Sequence, residues 1–364
     1  MKNHAMHLSV LMILMLILCV PTATKAQTLL SRYRPGATTE GAVYFLPRTA
    51  LRVSVLVEKT DYKPGDFSPY AQRYLRVNSV EQEPSTSFRI IEVRVDALPQ
   101  PDTTKVYAVK FDARTVASRI TLADDGRLLA LNVPDATDVV QPAPFEPAPR
   151  LPMANPRQFL TEEILSCGST AKMAELTAHE VYDLRENRTL LIKGQADFMP
   201  QDGQQMQLML QELKCQDDAL SSMFVGVTRR DTTEHVLWLR PDAPQGRQVL
   251  FRLSQLRGLV DADDLSGEPF YAVIDDITEL PATDEVAARK QKKSETGIFV
   301  NVPGTMRITL YQGIEPLLTK DFPAPQFGET LLLSGSLFNK RYTTRLLLNA
   351  LTGAVEKLEA DDPR

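Results

Sequence analysis

The amino-acid sequence predicts an α+β fold that is mostly β, with an N-terminal β-rich domain, a central helical hairpin and a C-terminal antiparallel β-sandwich-like domain. Short apolar runs with period-2 alternation fill both ends of the chain, whereas apolar residues at helical spacing are concentrated in the middle. Between them lies a segment dense in proline. The predicted boundaries are 40–133 for the first domain, 134–156 for the proline-rich connection, 157–222 for the hairpin and 223–360 for the last domain.

The chain begins with the features of a signal peptide, residues 1–26. Lys2 supplies the positive start, residues 10–20 are apolar, and Thr24-Lys25-Ala26 fits a small-residue cleavage site. We expect cleavage after Ala26 and export to the periplasm or cell surface. Cys19 raises the alternative of a lipoprotein, but Leu18 stands where such signals usually have a small residue.

Composition excludes some classes of partner. The chain has 364 residues, of which 43% are hydrophobic and 24% charged, as in ordinary globular proteins. Its formal net charge is -5 and it has no concentrated basic face, so we expect no nucleic-acid partner. After the signal peptide no segment approaches the roughly 20 apolar residues of a spanning helix, so we expect no membrane span in the mature chain.

The first domain opens with a strand whose apolar residues alternate over 51–57, which indicates one buried face. Leu56 breaks the alternation and predicts partial cover of the second face. The strand ends at Tyr62-Lys63-Pro64-Gly65, and Ser68-Pro69 predicts an N-cap with proline at the first position of a short helix. Further strands are predicted at 91–95 and 107–111, and a hairpin at 121–133 turns at Asp124-Asp125-Gly126.

The middle of the chain has two stretches with helical spacing. The first runs over 171–184, and the second runs from Gly203 to about Ser222 with Asp202 as the predicted N-cap. The run at 190–192 is either a continuation of the first helix or a connection. Met206 and Met209 lie on one side of the second helix; a core stripe is the favoured interpretation over a flexible partner-binding face.

From Phe224 onward the pattern returns to short strands, which predicts the antiparallel C-terminal domain. The charged run at 284–295 interrupts them. Its basic part, 289–293, is too short to indicate a nucleic-acid site and predicts a solvated loop.

Several short motifs resemble a known family. They are Leu-Pro-x-Thr-x-Leu at 46–51, Lys63-Pro64-Gly65, Tyr70-Ala71-x-Arg73-Tyr74-Leu75, the 168–173 run Gly-Ser-Thr-Ala-Lys-Met, the acidic 261–267 run and Leu337-Phe338-Asn339-Lys340. In these motifs the chain resembles a family of exported Bacteroidales-type proteins, domain of unknown function 4831. The resemblance implies a cell-envelope protein and brings no known activity or catalytic residue.

Two cysteines remain after the signal peptide, Cys167 and Cys215. Cys167 precedes the first predicted helix and Cys215 is near the end of the second, so an antiparallel hairpin would favour a disulfide between them. Two unpaired thiols are the equal alternative.

Catalytic and metal-binding signals are weak, and we assign no catalytic residue, metal or cofactor. His179 and His235 have no motif around them, and Asp275-Asp276 would need further acids brought close by the fold. Asp261, Asp263 and Asp264 followed by Gly267 and Glu268 depart from the calcium-loop pattern. Trp238 would suit stacking on a sugar, although a core or interface role is favoured.

Two functions from different classes therefore stay open. The first is a non-catalytic cell-envelope or surface module that binds a protein or glycan. The second is a periplasmic, glycan-active hydrolase that uses carboxylates. Acids converging in a deep pocket with perturbed pKa values would favour the second.

Overall fold

The computed structural model describes residues 29–32, 42–110, 119–147, 149, 153–279, 297–338 and 343–361. The predicted signal peptide with its cleavage site after Ala26, and the charged run at 284–295, lie outside these residues. The described part is α+β and mostly β, as predicted: its strands form three antiparallel sheets, joined by a few helices.

Thirteen strands are defined within the described residues. They are β1 Leu29–Arg32, β2 Ala42–Lys63, β3 Ser85–Lys110, β4 Ile120–Leu122, β5 Leu128–Leu131, β6 Val227–Leu239, β7 Gln245–Ser254, β8 Gly258–Val260, β9 Glu268–Asp276, β10 Gly297–Gln312, β11 Glu315–Ser334, β12 Thr343–Leu348 and β13 Val355–Asp361. The first sheet has the order β1–β3–β2–β6, the second β11–β10–β9–β7–β8 and the third β13–β12–β5–β4.

The first and second sheets pack face to face through the alternating residues of β2. Leu51, Val53, Val55 and Val57 are all 3% exposed or less and join one core with β7, β9, β10 and β11 of the second sheet. Leu56, on the opposite face, is also buried, so the partial cover of that face is confirmed. Burying side chains of this size stabilises the fold by roughly 1.5–3 kcal/mol each.

The sheets draw strands from both ends of the chain. β6 follows the helices yet pairs with β2 along its whole length, from Leu239 beside Leu51 to Val227 beside Lys63. In the third sheet, β12 pairs with β5 through Leu346 and Leu131. The ranges 40–133 and 223–360 thus share two sheets. In each of these sheets, a strand from one range pairs with a strand from the other range whose edge would otherwise be unpaired.

The connection after β2 departs from the predicted helix start. Phe67, not Ser68, takes the N-cap position of a 3-10 turn, Ser68–Tyr70, which continues into a π-helical turn, Ala71–Leu75. Ser68 Oγ instead donates to Gln82 Oε1 at 3.0 Å. The cause is tertiary: Phe67 N donates to Met223 O at 2.7 Å, and a Cβ on Gly65 would lie 2.2 Å from the same oxygen. Close approach of the two backbones therefore decides where the turn begins.

Three α-helices follow the proline-rich segment: α1 Glu162–Leu165, α2 Thr170–Lys193 and α3 Gly203–Val225, preceded by a 3-10 turn at Pro156–Phe159. The run at 190–192 continues α2, which ends where Gly194 adopts a left-handed conformation (φ 68°). Asp202 occupies the predicted N-cap position of α3, although its side chain makes no capping hydrogen bond.

The proline-rich segment has a turn at 134–135 and no helix or strand over 136–147. Arg127 binds Asp138 with its Nη2 at 2.6 Å, and Phe145 N donates to Glu234 Oε2 at 2.9 Å. These two contacts fix the segment to the third and first sheets.

Candidate binding surface

The helical hairpin formed by α2 and α3 has two halves. We define its base as residues 170–185 and 217–225, and its tip as residues 186–216. The base packs against the connection after β2 in one apolar cluster, whose buried members include Phe67, Ala71, Leu75, Ala174, Ala178, Val181, Leu184, Leu220, Met223 and Phe224. The rings of Phe67 and Phe224 lie 5.5 Å apart between centroids. This half of the hairpin is thus part of the protein core.

Arg185 marks the border between base and tip. Its Nε donates to both carboxylate oxygens of Asp217, at 3.1 and 3.2 Å, and its Nη2 donates to Ser221 Oγ at 3.0 Å. The contact joins α2 to α3 across the hairpin. Beyond it the two helices continue for about two turns of α2 and more than three turns of α3.

The tip is poorly buried by comparison. Leu191 is its one buried apolar side chain, whereas Ile192, Phe198 and Leu208 are 61%, 63% and 66% exposed. The tip therefore leaves more large apolar side chains exposed than the base does.

A groove of about 460 Å³ lies between the two helices at the tip. Its apolar lining consists of Leu190, Leu191, Ala196, Phe198, Met209 and Leu213. Its polar lining consists of Asn187, Gln195, Asp197 and Glu212, so that among the described residues the lining has two carboxylates and no lysine or arginine. The arrangement is an apolar floor with an acidic rim.

The structure does not bring the sequence-predicted titratable residues together. His179 is exposed on α2, and His235 lies on β6 opposite Val55 of the first sheet. Asp275 and Asp276 are exposed at the end of β9 in the second sheet. Asp275 is opposite Arg307, which itself holds Asp321 through two hydrogen bonds.

The acidic loop at 261–268 is held in place by hydrogen bonds from its own backbone and from nearby arginines. The backbone N–H of Ser266 donates to Asp264, and this bond, with the nearby Arg257, holds the pKa of Asp264 below its usual range. Arg252 donates to the carbonyls of Ala262 and Gly267. In the described residues no group of three or more His, Cys, Asp or Glu side chains is placed to hold a metal ion.

The clear pKa shifts of carboxyl groups in the described chain all go downward. For Glu234 the main cause is the N–H donated by Phe145, supported by Ser54 and the charge of Arg52. The other shifted carboxyls are Asp61, Asp264, Asp321 and Glu359. A glycosidase needs one carboxyl whose pKa is raised so that it donates a proton.

Trp238 lies on β6, opposite Arg52, and is 44% exposed. Trp238 is therefore not a core residue. Val236, on the same face of this strand, is 40% exposed.

Cys167 and Cys215 are free thiols in this structure, and both are partly exposed. Cys167 Sγ donates to Glu163 O. The hairpin is antiparallel as predicted, but Cys215 lies close to Asp217, which contacts Arg185. A disulfide between Cys167 and Cys215 in the exported protein stays a prediction.

Sequence reasoning missed the groove residues Asp197, Phe198 and Glu212, and the exposed Leu208 elsewhere on the tip. One signal was present: Leu208 lies off the apolar side formed by Met206, Met209 and Leu213, so that α3 has more apolar surface than one packed face requires. The connection at 195–202 showed no pattern that would place Phe198 over the groove.

The fold and the groove together define a class of protein: three antiparallel sheets, two of which combine strands from both ends of the chain, with a helical hairpin whose tip remains open. Within the described residues no helix combines the length and the apolar character needed to cross a membrane. The chain belongs to the family described as Domain of unknown function (DUF4831), whose family model matches residues 40–356. Comparison with curated proteins found no match, and comparison with solved structures found none either.

Proposed function

We propose that this protein is a non-catalytic module, exported to the cell envelope, that binds a partner protein through the groove at the hairpin tip. The observation that carries the proposal is the half-packed hairpin: the same two helices are buried at the base and leave an apolar groove open at the tip. Export rests on the signal-peptide features of residues 1–26.

The lining favours a protein over a glycan. Leu190, Leu191, Met209 and Leu213 give the groove an aliphatic floor, and Phe198 is its one aromatic side chain. Aliphatic grooves between helices are typical of sites that take apolar side chains of a partner, and methionine adapts to their shape. Sugar-binding sites commonly combine aromatic faces for stacking with polar partners for the sugar hydroxyl groups.

The hydrolase alternative has less support. Its candidate acids lie on separate elements, and the clear carboxyl pKa shifts go downward, opposite to what a general acid needs.

Photo-crosslinking tests the proposal. The full chain carries a photoreactive amino acid in place of Phe198 and is crosslinked in the cell envelope of the organism that makes it. This crosslinking should give a discrete protein adduct. The matched control position is Leu256, an apolar residue on the β7–β8 turn that is 77% exposed, against 63% for Phe198.

We expect the adduct from position 198 and not from position 256. An excess of the same protein without the photoreactive residue should prevent the adduct from forming. The variant Phe198→Ser, which alters the aromatic side chain that lines the groove, should compete poorly. Absence of an adduct at 198, or the same adducts from both positions, would contradict the proposal.

A further inference from the structure

We propose that the groove takes an amphipathic helix of the partner, which places apolar side chains on the groove floor and lysine or arginine against the acidic rim. This inference rests on the proposed function and names the chemistry of the partner.

Charge points to a cationic occupant. Asp197 and Glu212 both line the groove, and in the described chain neither forms an ion pair; Glu212 accepts a hydrogen bond from the neutral Gln216. Elsewhere on the hairpin Glu175 is matched by Lys172, Asp217 by Arg185 and Asp218 by Lys214, whereas other acids such as Glu186 have no ion pair in the described chain. Asp197 and Glu212 are the unmatched carboxylates that line the groove with its open apolar floor.

The same charges argue against two other occupants. In a symmetric contact between two copies through this groove, each acidic rim would meet its equivalent, and like charges in an interface repel. An anionic lipid surface would meet the same repulsion. A partner with positive charge gains from both carboxylates.

The backbone around the groove favours a helical occupant over an extended one. An extended segment gains affinity by adding backbone hydrogen bonds to an open sheet edge. The groove walls are helices, whose backbone N–H and C=O groups are already paired within each helix. A helix needs no such bonds and lays one apolar stripe into the groove, with side chains spaced at i and i+4.

Peptide binding to the full mature protein tests the inference. The probes are a fluorescent 18-residue amphipathic helix of leucine and lysine, and its counterpart with every lysine replaced by glutamate. Anisotropy is measured at low salt and at about 0.15 M ionic strength. We expect the basic peptide to bind, with affinity that falls as salt rises, and the acidic peptide to bind at least tenfold more weakly, as two or more lost charge contacts imply.

Two matched pairs of substitutions locate the effect. Asp197→Asn/Glu212→Gln should weaken the basic peptide roughly fivefold to tenfold, since each exposed charge contact is worth a factor of a few. Asp261→Asn/Asp263→Asn removes the same charge beside Leu265, which is 82% exposed but is not part of a groove, and should leave the affinity unchanged. Circular dichroism confirms that both variants are folded.

Equal binding of the two peptides, or an equal loss from both variant pairs, would overturn the inference. If the adduct at position 198 forms but Asp197→Asn/Glu212→Gln leaves its yield unchanged, the inference fails and the proposed function stands. If no adduct forms at position 198, the proposed function itself fails.

Discussion

The base and the tip of the hairpin are parts of the same two helices, yet they differ in what covers them. At the base, the connection Phe67–Leu75 supplies a third layer, and Phe224 is completely buried. At the tip, α2, α3 and residues 195–198 of their connection line a groove that no further described element fills, and Leu208 is 66% exposed. Two helices bury only the surfaces that they turn toward each other, so a hairpin without a third element leaves apolar surface open.

Side-chain size contributes to the difference. The base of α2 has alanines, Ala174 and Ala178, that let the neighbouring elements approach closely, and both are buried. The facing positions at the tip are Leu190, Met209 and Leu213, which line a groove instead of filling it. The base is therefore filled and the tip leaves a groove, as the proposed binding role of the tip requires.

The largest expected effect is at the base. Phe224→Ala should lower the free energy of unfolding by about 3–5 kcal/mol, because it removes a fully buried ring and leaves a cavity. Urea denaturation measures the loss. The control is Phe224→Leu, which keeps most of the volume and should cost less than about 1.5 kcal/mol. A loss below about 1 kcal/mol for Phe224→Ala would show that the base is not a core.

A smaller effect is expected at the border. Arg185→Ala removes three hydrogen bonds between α2 and α3, but the arginine is 44% exposed, so we expect a loss of about 1 kcal/mol or less in unfolding free energy. Lys214→Ala, which removes an ion pair within α3, serves as the control and should change stability by less than about 0.5 kcal/mol. A loss of unfolding free energy comparable to that of Phe224→Ala would show that the packed core continues from the base into the tip.

Local patterns predicted much of the fold. Alternation at 51–57, the Asp124-Asp125-Gly126 turn and the start of α3 at Gly203 depend on nearby residues, and the structure confirms them. The β6–β2 pairing joins residues nearly 200 positions apart, as with Leu51 and Leu239, and periodicity does not specify such partners. The N-cap at Phe67 was missed for a related reason, since it depends on Met223.

The candidate site was harder to predict than the fold. The stripe of Met206 and Met209 was visible, but sequence alone does not show whether a third element covers it, and here Met209 lines the open groove. The acidic residues that drew attention, such as Asp264, prove to be held by their own loop, whereas Asp197 and Glu212 carried no motif. Their importance comes from the surface that they flank, which only the packed structure defines.

The most direct test of the division between base and tip is the unfolding free energy of Phe198→Ser/Leu208→Ser, measured by urea denaturation against the unsubstituted protein. Both side chains are more than 60% exposed, so the account predicts a change within about 1 kcal/mol even though two large apolar groups are removed. A loss of about 3 kcal/mol or more would show that these residues stabilise the fold, and would contradict the claim that the tip is a binding surface.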